Sequence, residues 1–375
     1  MAATWEVHDL LGVGEPEGAM VLAGVVEDAL GVTPDPDATV VEVVAYPFGS
    51  PATAALLRVR GLGTRGEPWS LFAKVLQHVR HWPVLAMLPP ADREDFLAFF
   101  PWRIELDLWT PDVTATLPDG LRPPHLHRLV ELPDDRAVLW MEDVVEDPEP
   151  WGLERFARAA RLLGRWNARS SHPDVLAACP LPPGYALRKY GERAVAARGL
   201  GPLADDGLWA HPWLADHADL RARLTELAPR IPTWLDRLDE LPQAMPHGDA
   251  SPQNLLVPAG DREGFVVIDI SFRSPHALGF DLGQLVVGLV HADLLPAAAL
   301  PEVVSMVEPA YVAGLADEGL TGAADVVHEA FTTSAMVRSG FDGLRLELLA
   351  DADPAHRASF DQRVALSRFL AGRLA

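Results

Sequence analysis

Apolar and polar positions change rhythm along the chain, and each change predicts a different kind of structure. Residues 1–35 read as a helical leader, with an apolar stretch around Met20 to Leu30. β-Branched residues then dominate Ala38–Tyr46, and the turn chemistry of Pro47–Thr53 separates them from a second predicted strand at Ala55–Leu62. Another turn, GTRGEP, leads into Trp69–Gln77, so the pattern predicts a three-strand antiparallel meander. Asp92–Leu108 reads as helical, with Pro101 at a helix start or a kink because proline has no N–H to donate. His125–Leu132 and Arg136–Val144 form a predicted hairpin around Pro133-Asp134-Asp135, and Asp147–Gly152 (DPEPWG) reads as a linker.

From Leu153 onward the rhythm is helical. Leu153, Phe156, Ala157, Ala160 and Leu163 recur at three and four and mark one buried face. Further helices are predicted near Ala215–Leu238, Gly279–Ala292, Leu300–Ala316, Ala323–Leu349 and Pro354–Leu374. The exception is Ala244–Ser271, which reads as loop, short strand, turn, short strand. The expectation is an α+β chain with a small antiparallel sheet first and a mainly helical remainder.

Composition narrows the function. A chain of 375 residues permits two or three compact units at roughly 100–200 residues each. No run of about 18 uncharged apolar residues suggests a membrane span, and the first residues lack the basic and apolar pattern of a signal peptide. Cys179 is the only cysteine, which excludes an intrachain disulfide and fits a cytoplasmic protein. The net charge of −22 argues against nucleic-acid binding, which relies on basic surface. It permits a cationic ligand, although solubility alone also explains it. Lys74 and Lys189 are the only lysines among many arginines, which singles each of them out.

The richest chemistry lies in His247-Gly248-Asp249-Ala250-Ser251-Pro252-Gln253-Asn254. Asp249 and Asn254 lie five apart, and Asp269 follows fifteen residues later at the end of a β-branched strand. Magnesium prefers hard oxygen ligands and takes only one or two from protein when phosphates and water supply the rest. Asn254 and Asp269 form such a pair, leaving Asp249 to accept or orient a hydroxyl proton. This is the arrangement of the phosphoryl-transfer template H-x-D-x-x-x-x-N followed by a metal-binding aspartate.

HGDASPQNLL followed by VVIDIS resembles the aminoglycoside-phosphotransferase and choline-kinase superfamily, and GFDLGQL (Gly279–Leu285) resembles its next landmark. The resemblance spans roughly Ala38 to Val290. It implies a bilobal protein-kinase-like fold with a helical leader at 1–35, an N-lobe at 36–146, a hinge near 140–146 and a helical C-lobe at 147–375. It also implies a magnesium-dependent enzyme using ATP or GTP. In this family a strand lysine holds the α- and β-phosphates, a role that falls to Lys74, with Glu105 as its carboxylate partner and Asp107 as the substitute. Taken alone, Lys74 also fits a snorkelling lysine on an edge strand. Gly49 and Ser50 lie where a phosphate-covering loop is expected. Met141, Glu142 and Asp143 fall at the hinge that would meet the base. His247 and Asp281 would support the catalytic loop structurally.

Departures from protein kinases point to a small acceptor. Gly248 replaces the arginine of H-R-D, Ile270-Ser271 replaces Phe-Gly, no A-P-E landmark follows, and Pro51 removes a donor from the phosphate loop. The expected activity is therefore transfer of a γ-phosphate to a small-molecule hydroxyl. An antibiotic or related natural product is the first expectation for the acceptor, which implies a resistance role. A sugar, amino alcohol or choline-like metabolite is the alternative, and a nucleotide-binding pseudokinase is a third. Tyr185–Trp213 and Val304–Asp342 are candidate acceptor-lining segments from position alone. His78, His81, His125 and His127 read as ordinary histidines, because no matching set of metal ligands follows.

Overall fold

The structure, a computed structural model, describes residues 5–45, 50–261, 263–349 and 352–374. The chain forms two compact units, one comprising Met1–Pro111 with Pro123–Glu146, the other Asp112–Arg122 with Asp147–Ala375.

In the first unit the predicted meander and hairpin join into one five-stranded antiparallel sheet. Its spatial order is Val40–Val43, Thr53–Leu62, Pro68–Gln77, Arg136–Glu142, Leu126–Leu132. Pro68–Gln77 is therefore central, with Lys74 opposite Leu56 on one side and Leu139 on the other. Strand alternation sends Trp69, Leu71, Ala73 and Val75 to one face. There they meet the leader, which folds into helices Val7–Leu11 and Glu15–Leu30 and buries Leu10, Leu11, Leu22, Val25 and Val26 against the sheet. Each such side chain contributes roughly 1.5–3 kcal/mol when fully buried. Trp140 seals the contact by donating its indole N–H to Leu10 O at 3.1 Å. The leader is thus part of the first unit.

The opposite face carries Lys74 and a smaller apolar cluster, Leu76, Leu139 and Met141 packed with Phe72, Trp102, Leu106, Trp109 and Leu126. The helical segment expected at Asp92–Leu108 is broken. An α-helix covers Pro90–Phe99 and a 3₁₀ helix covers Ile104–Trp109. Pro101 holds Phe100 in an extended conformation (φ −72°, ψ 120°), which ends the first helix.

In the second unit the helix Leu153–Ser170 crosses Leu300–Asp317 at very close range. A Cβ on Gly164 would meet Tyr311 O at 2.2 Å, and one on Gly314 would meet Arg161 O at 2.0 Å. The helix Asp281–His291 is buried along almost its whole length and forms the centre of this unit. The single helix predicted over Ala215–Leu238 is divided into Ala218–Leu227 and Ile231–Glu240, with Pro229 and Pro232 at the junction. The one predicted over Ala323–Leu349 is α-helical at Ala324–Ala335, π-helical at Met336–Gly340 and 3₁₀ at Leu346–Leu349. A second π-helical stretch spans Gly191–Leu200. The two approach closely, since a Cβ on Gly199 would lie 3.0 Å from Phe341.

Leu255–Leu256 pairs antiparallel with Phe265–Val267, which also pairs in parallel with Leu121–Arg122. That strand, with Trp166 Nε1 donating to Thr116 Oγ1 at 2.9 Å, ties residues 112–122 to the second unit. Among the described residues no helix is long and apolar enough to cross a membrane.

Candidate active site

Lys74 and Glu105, far apart in sequence, form a buried ion pair in the first unit, with 6% and 5% of their surfaces exposed. The central position of its strand excludes the edge-strand reading of Lys74. A buried ammonium is tolerated only when paired and hydrogen-bonded, so the two groups depend on each other. The pairing selects Glu105 over Asp107, whose side chain is exposed. Glu105 sits on the 3₁₀ turn that follows Pro101, where Leu106 and Trp109 anchor the segment to the Lys74 face of the sheet.

Ser50, in the expected phosphate loop, lies in the turn before the strand Thr53–Leu62. It bridges to Thr53, and its hydroxyl accepts from Ala52 N at 3.3 Å. Gly49 lies outside the described residues. At the end of Arg136–Glu142, Met141 is buried, and Glu142 Oε2 accepts from His125 N at 3.0 Å. The Asp143 carboxylate accepts from Arg58 Nε at 2.8 Å and from the Ser70 hydroxyl, which fastens the chain after the last strand to two strands of the sheet. Beside it opens a pocket of about 750 Å³, lined by residues including Val40, Arg60, Ser70 and Glu146. Burial raises the Glu146 carboxyl above its ordinary pKa. Lys74 does not line this pocket.

The second unit holds the other candidates. Residues 247–254 form a tight loop whose shape is set from inside. Asp281, 1% exposed in the first turn of its helix, accepts from His247 N at 3.1 Å and Gly248 N at 2.9 Å. Asn167 Nδ2 donates to the same carboxylate at 2.9 Å. His247 is fully buried, and its Nδ1 accepts from Asp249 N at 3.2 Å. Gly248 has φ +86°, and a Cβ there would lie 2.6 Å from Phe272 O, so only glycine fits.

Asn254 spends its amide N–H groups on Asp249, donating to its backbone oxygen at 2.8 Å and to Oδ2 at 3.2 Å. This orientation turns the amide oxygen away from Asp249. Asp269 follows the strand Phe265–Val267 and adopts a left-handed backbone, φ +57°, which is unfavourable for a residue with a side chain. The hairpin fixes its place relative to Asn254, because Ile268 N donates to Asn254 O at 3.1 Å. Burial raises the pKa of Asp249 above the ordinary carboxylate range and the nearby Asp269 adds to the rise, while Arg338 and His247 oppose it.

These residues fit a magnesium ion brought in with a nucleotide. An amide oxygen and a carboxylate offer hard donors, and the crowding of Asp249 by Asp269 is negative charge that a cation would relieve. Among the described residues no group of three or more His, Cys, Asp or Glu is arranged to hold a metal, so phosphates and water would complete the shell. His125 and His127 meet edge to face with ring centres 4.6 Å apart and belong to no such group.

Arg338 is the residue at this site that sequence reasoning missed. It lies in the π-helical stretch, with Nη2 donating to Asp249 Oδ1 at 2.7 Å and Nη1 to Gly248 O at 2.6 Å. The only sequence signal was its place in Val304–Asp342, a segment nominated from position alone.

No protein-family model and no curated protein matches the chain. Solved structures do. An amicoumacin kinase, hAmiN, in complex with AMP-PNP, Ca2+ and Ami, is similar with a TM-score of 0.50 and 14% identity over 94% of this chain and 92% of that one. An aminoglycoside-3'-phosphotransferase of type VIII gives a TM-score of 0.41 and 20% identity, covering 79% of this chain and 92% of that one. The aminoglycoside phosphotransferase APH(3'')-Id from Streptomyces rimosus, in complex with ADP and streptomycin, gives 0.43 and 15%, covering 86% and 98%. At these identities the likeness shows the fold. The chain has the bilobal α+β architecture of protein-kinase-like proteins, the architecture of the amicoumacin kinase.

Proposed function

We propose that this chain is a phosphotransferase that moves the γ-phosphate of ATP or GTP onto a hydroxyl of a small molecule, an antibiotic or related natural product. The observation that carries the reading is the Asp249 cluster. A carboxylate is fixed by its own loop, with Asn254 bonded to it and Asp269 beside it, and the loop is braced from below by Asp281.

Lys74, held by Glu105, binds the α- and β-phosphates, and the backbone around Met141 to Asp143 meets the base. Asn254 and Asp269 would hold magnesium, which would supply charge neutralisation on the phosphates. Asp249 orients the acceptor hydroxyl and takes its proton as the new O–P bond forms and the nucleoside diphosphate leaves. The rate gain comes from placement and from charge set in advance.

The test is release of nucleoside diphosphate by the full chain with magnesium, ATP or GTP and a panel of hydroxyl acceptors. Asp249→Ala is expected to lower turnover about a hundredfold or more, the scale of a lost positioned base, while nucleotide binding persists. Near-normal turnover in that variant would remove Asp249 from the role and the reading with it.

A further inference from the structure

The Asp249 carboxylate is held on both oxygens. Oδ2 accepts from Asn254 at 3.2 Å and Oδ1 from Arg338 at 2.7 Å. The guanidinium of Arg338 lies 4.0 Å from the Phe272 ring centre and is 11% exposed. Tyr190 meets the same ring edge-on at 6.0 Å, and its hydroxyl donates to Asp342 Oδ2 at 2.7 Å and accepts from Arg198 at 2.8 Å. Arg338 and Arg198 come from the two π-helical stretches, a conformation that is rare and concentrated at functional sites. Phe272 joins them three residues after Asp269.

We propose that Arg338 is a positioning residue for Asp249, fixing the carboxylate that meets the acceptor hydroxyl. This rests on the phosphotransfer reading. Because one oxygen is tied to Asn254 and the other to Arg338, the carboxylate cannot turn, and an arriving hydroxyl meets fixed lone pairs.

The experiment compares the full chain with Arg338→Met, Arg338→Lys and Asp249→Ala. Turnover is followed as magnesium-dependent release of ADP from ATP, with water as the acceptor always present. Arg338→Met should lower turnover by about tenfold to a hundredfold with KM for ATP unchanged, the range for a displaced reacting group. Millimolar guanidinium should restore part of the loss in Arg338→Met and none of it in Asp249→Ala. A merely structural arginine would instead give a lower melting temperature and no rescue, and that result, or full turnover in Arg338→Met, overturns the positioning role. Arg338→Lys, which keeps the charge, should retain more turnover than Arg338→Met, and equal loss in the two overturns the positioning role. Full turnover in Asp249→Ala would sink the phosphotransfer reading itself, whereas its loss there beside full turnover in Arg338→Met sinks only the present proposal.

Discussion

Gly248 stands where protein kinases carry the arginine of H-R-D, and the reason is steric. Its positive φ and the carbonyl of Phe272 leave no room for a side chain, and the cation beside Asp249 arrives from 89 positions downstream instead. The motif residues were legible because their meaning is local: Asp249, Asn254 and Asp269 sit on one loop and one short hairpin, so their spacing in sequence is nearly their arrangement in space. Arg338 was not, because its partners are chosen by tertiary folding. Asp281 lies between these cases, recognised from its motif but explained only by the two backbone N–H groups and the Asn167 amide that donate to it. Removing it by Asp281→Ala leaves those buried donors unpaired, which should cost about 3–5 kcal/mol. The urea midpoint and turnover should therefore fall together. A denaturation midpoint unchanged in Asp281→Ala would show that the loop is held by other contacts.

At the level of elements, apolar runs set off by turn residues located every strand of the sheet, yet they did not reveal that Pro68–Gln77 is central. That depends on its pairing with Arg136–Glu142, more than fifty residues away, which no local pattern encodes. Helical rhythm also hid the π-helical stretches, since an extra residue per turn barely disturbs the spacing of apolar positions. Prolines were read more successfully at Pro101 than at Pro229 and Pro232, which divide a helix expected to be continuous. Glycines carry a separate message in the pair Leu153–Ser170 and Leu300–Asp317, where Gly164 and Gly314 let two backbones touch. A methyl group at Gly314 has only a carbonyl to meet, so Gly314→Ala should force the helices apart and cost about 2–3 kcal/mol through overpacking. Thermal melting of that variant is the check, with no change in melting temperature as the contrary result. An alanine at the exposed Gly24, which has open space around it, is the matching control.

Across the whole molecule, acid should act through two buried histidines of the second unit. Burial, aided by Arg338, lowers His276 to about 3, and burial with Arg363 and Arg338 lowers His291 to about 3. Unfolded imidazoles titrate near 6.5, so between about pH 6.5 and 3 the unfolded chain binds protons that the folded one refuses. Their contribution to stability is complete above pH 6.5 and is lost as pH falls, at up to ~1.4 kcal/mol per pH unit for each histidine. Asp249 and Asp342, whose carboxyls burial raises, act in the opposite direction, because the folded chain holds their protons more readily. Comparing denaturation at pH 7 and pH 5 for the unaltered chain and for His276→Gln with His291→Gln isolates the histidines. The double variant should show the flatter dependence, and parallel curves would assign the acid sensitivity elsewhere.

The leader has a consequence at this same scale. Its helices occupy the underside of the five-stranded sheet, and the indole N–H of Trp140 is satisfied by the carbonyl of Leu10. A chain shortened to begin at the first strand would not be a trimmed catalyst. It would be a sheet with Leu57, Val59, Leu71 and Val75 bared to water, a sticky surface prone to self-association.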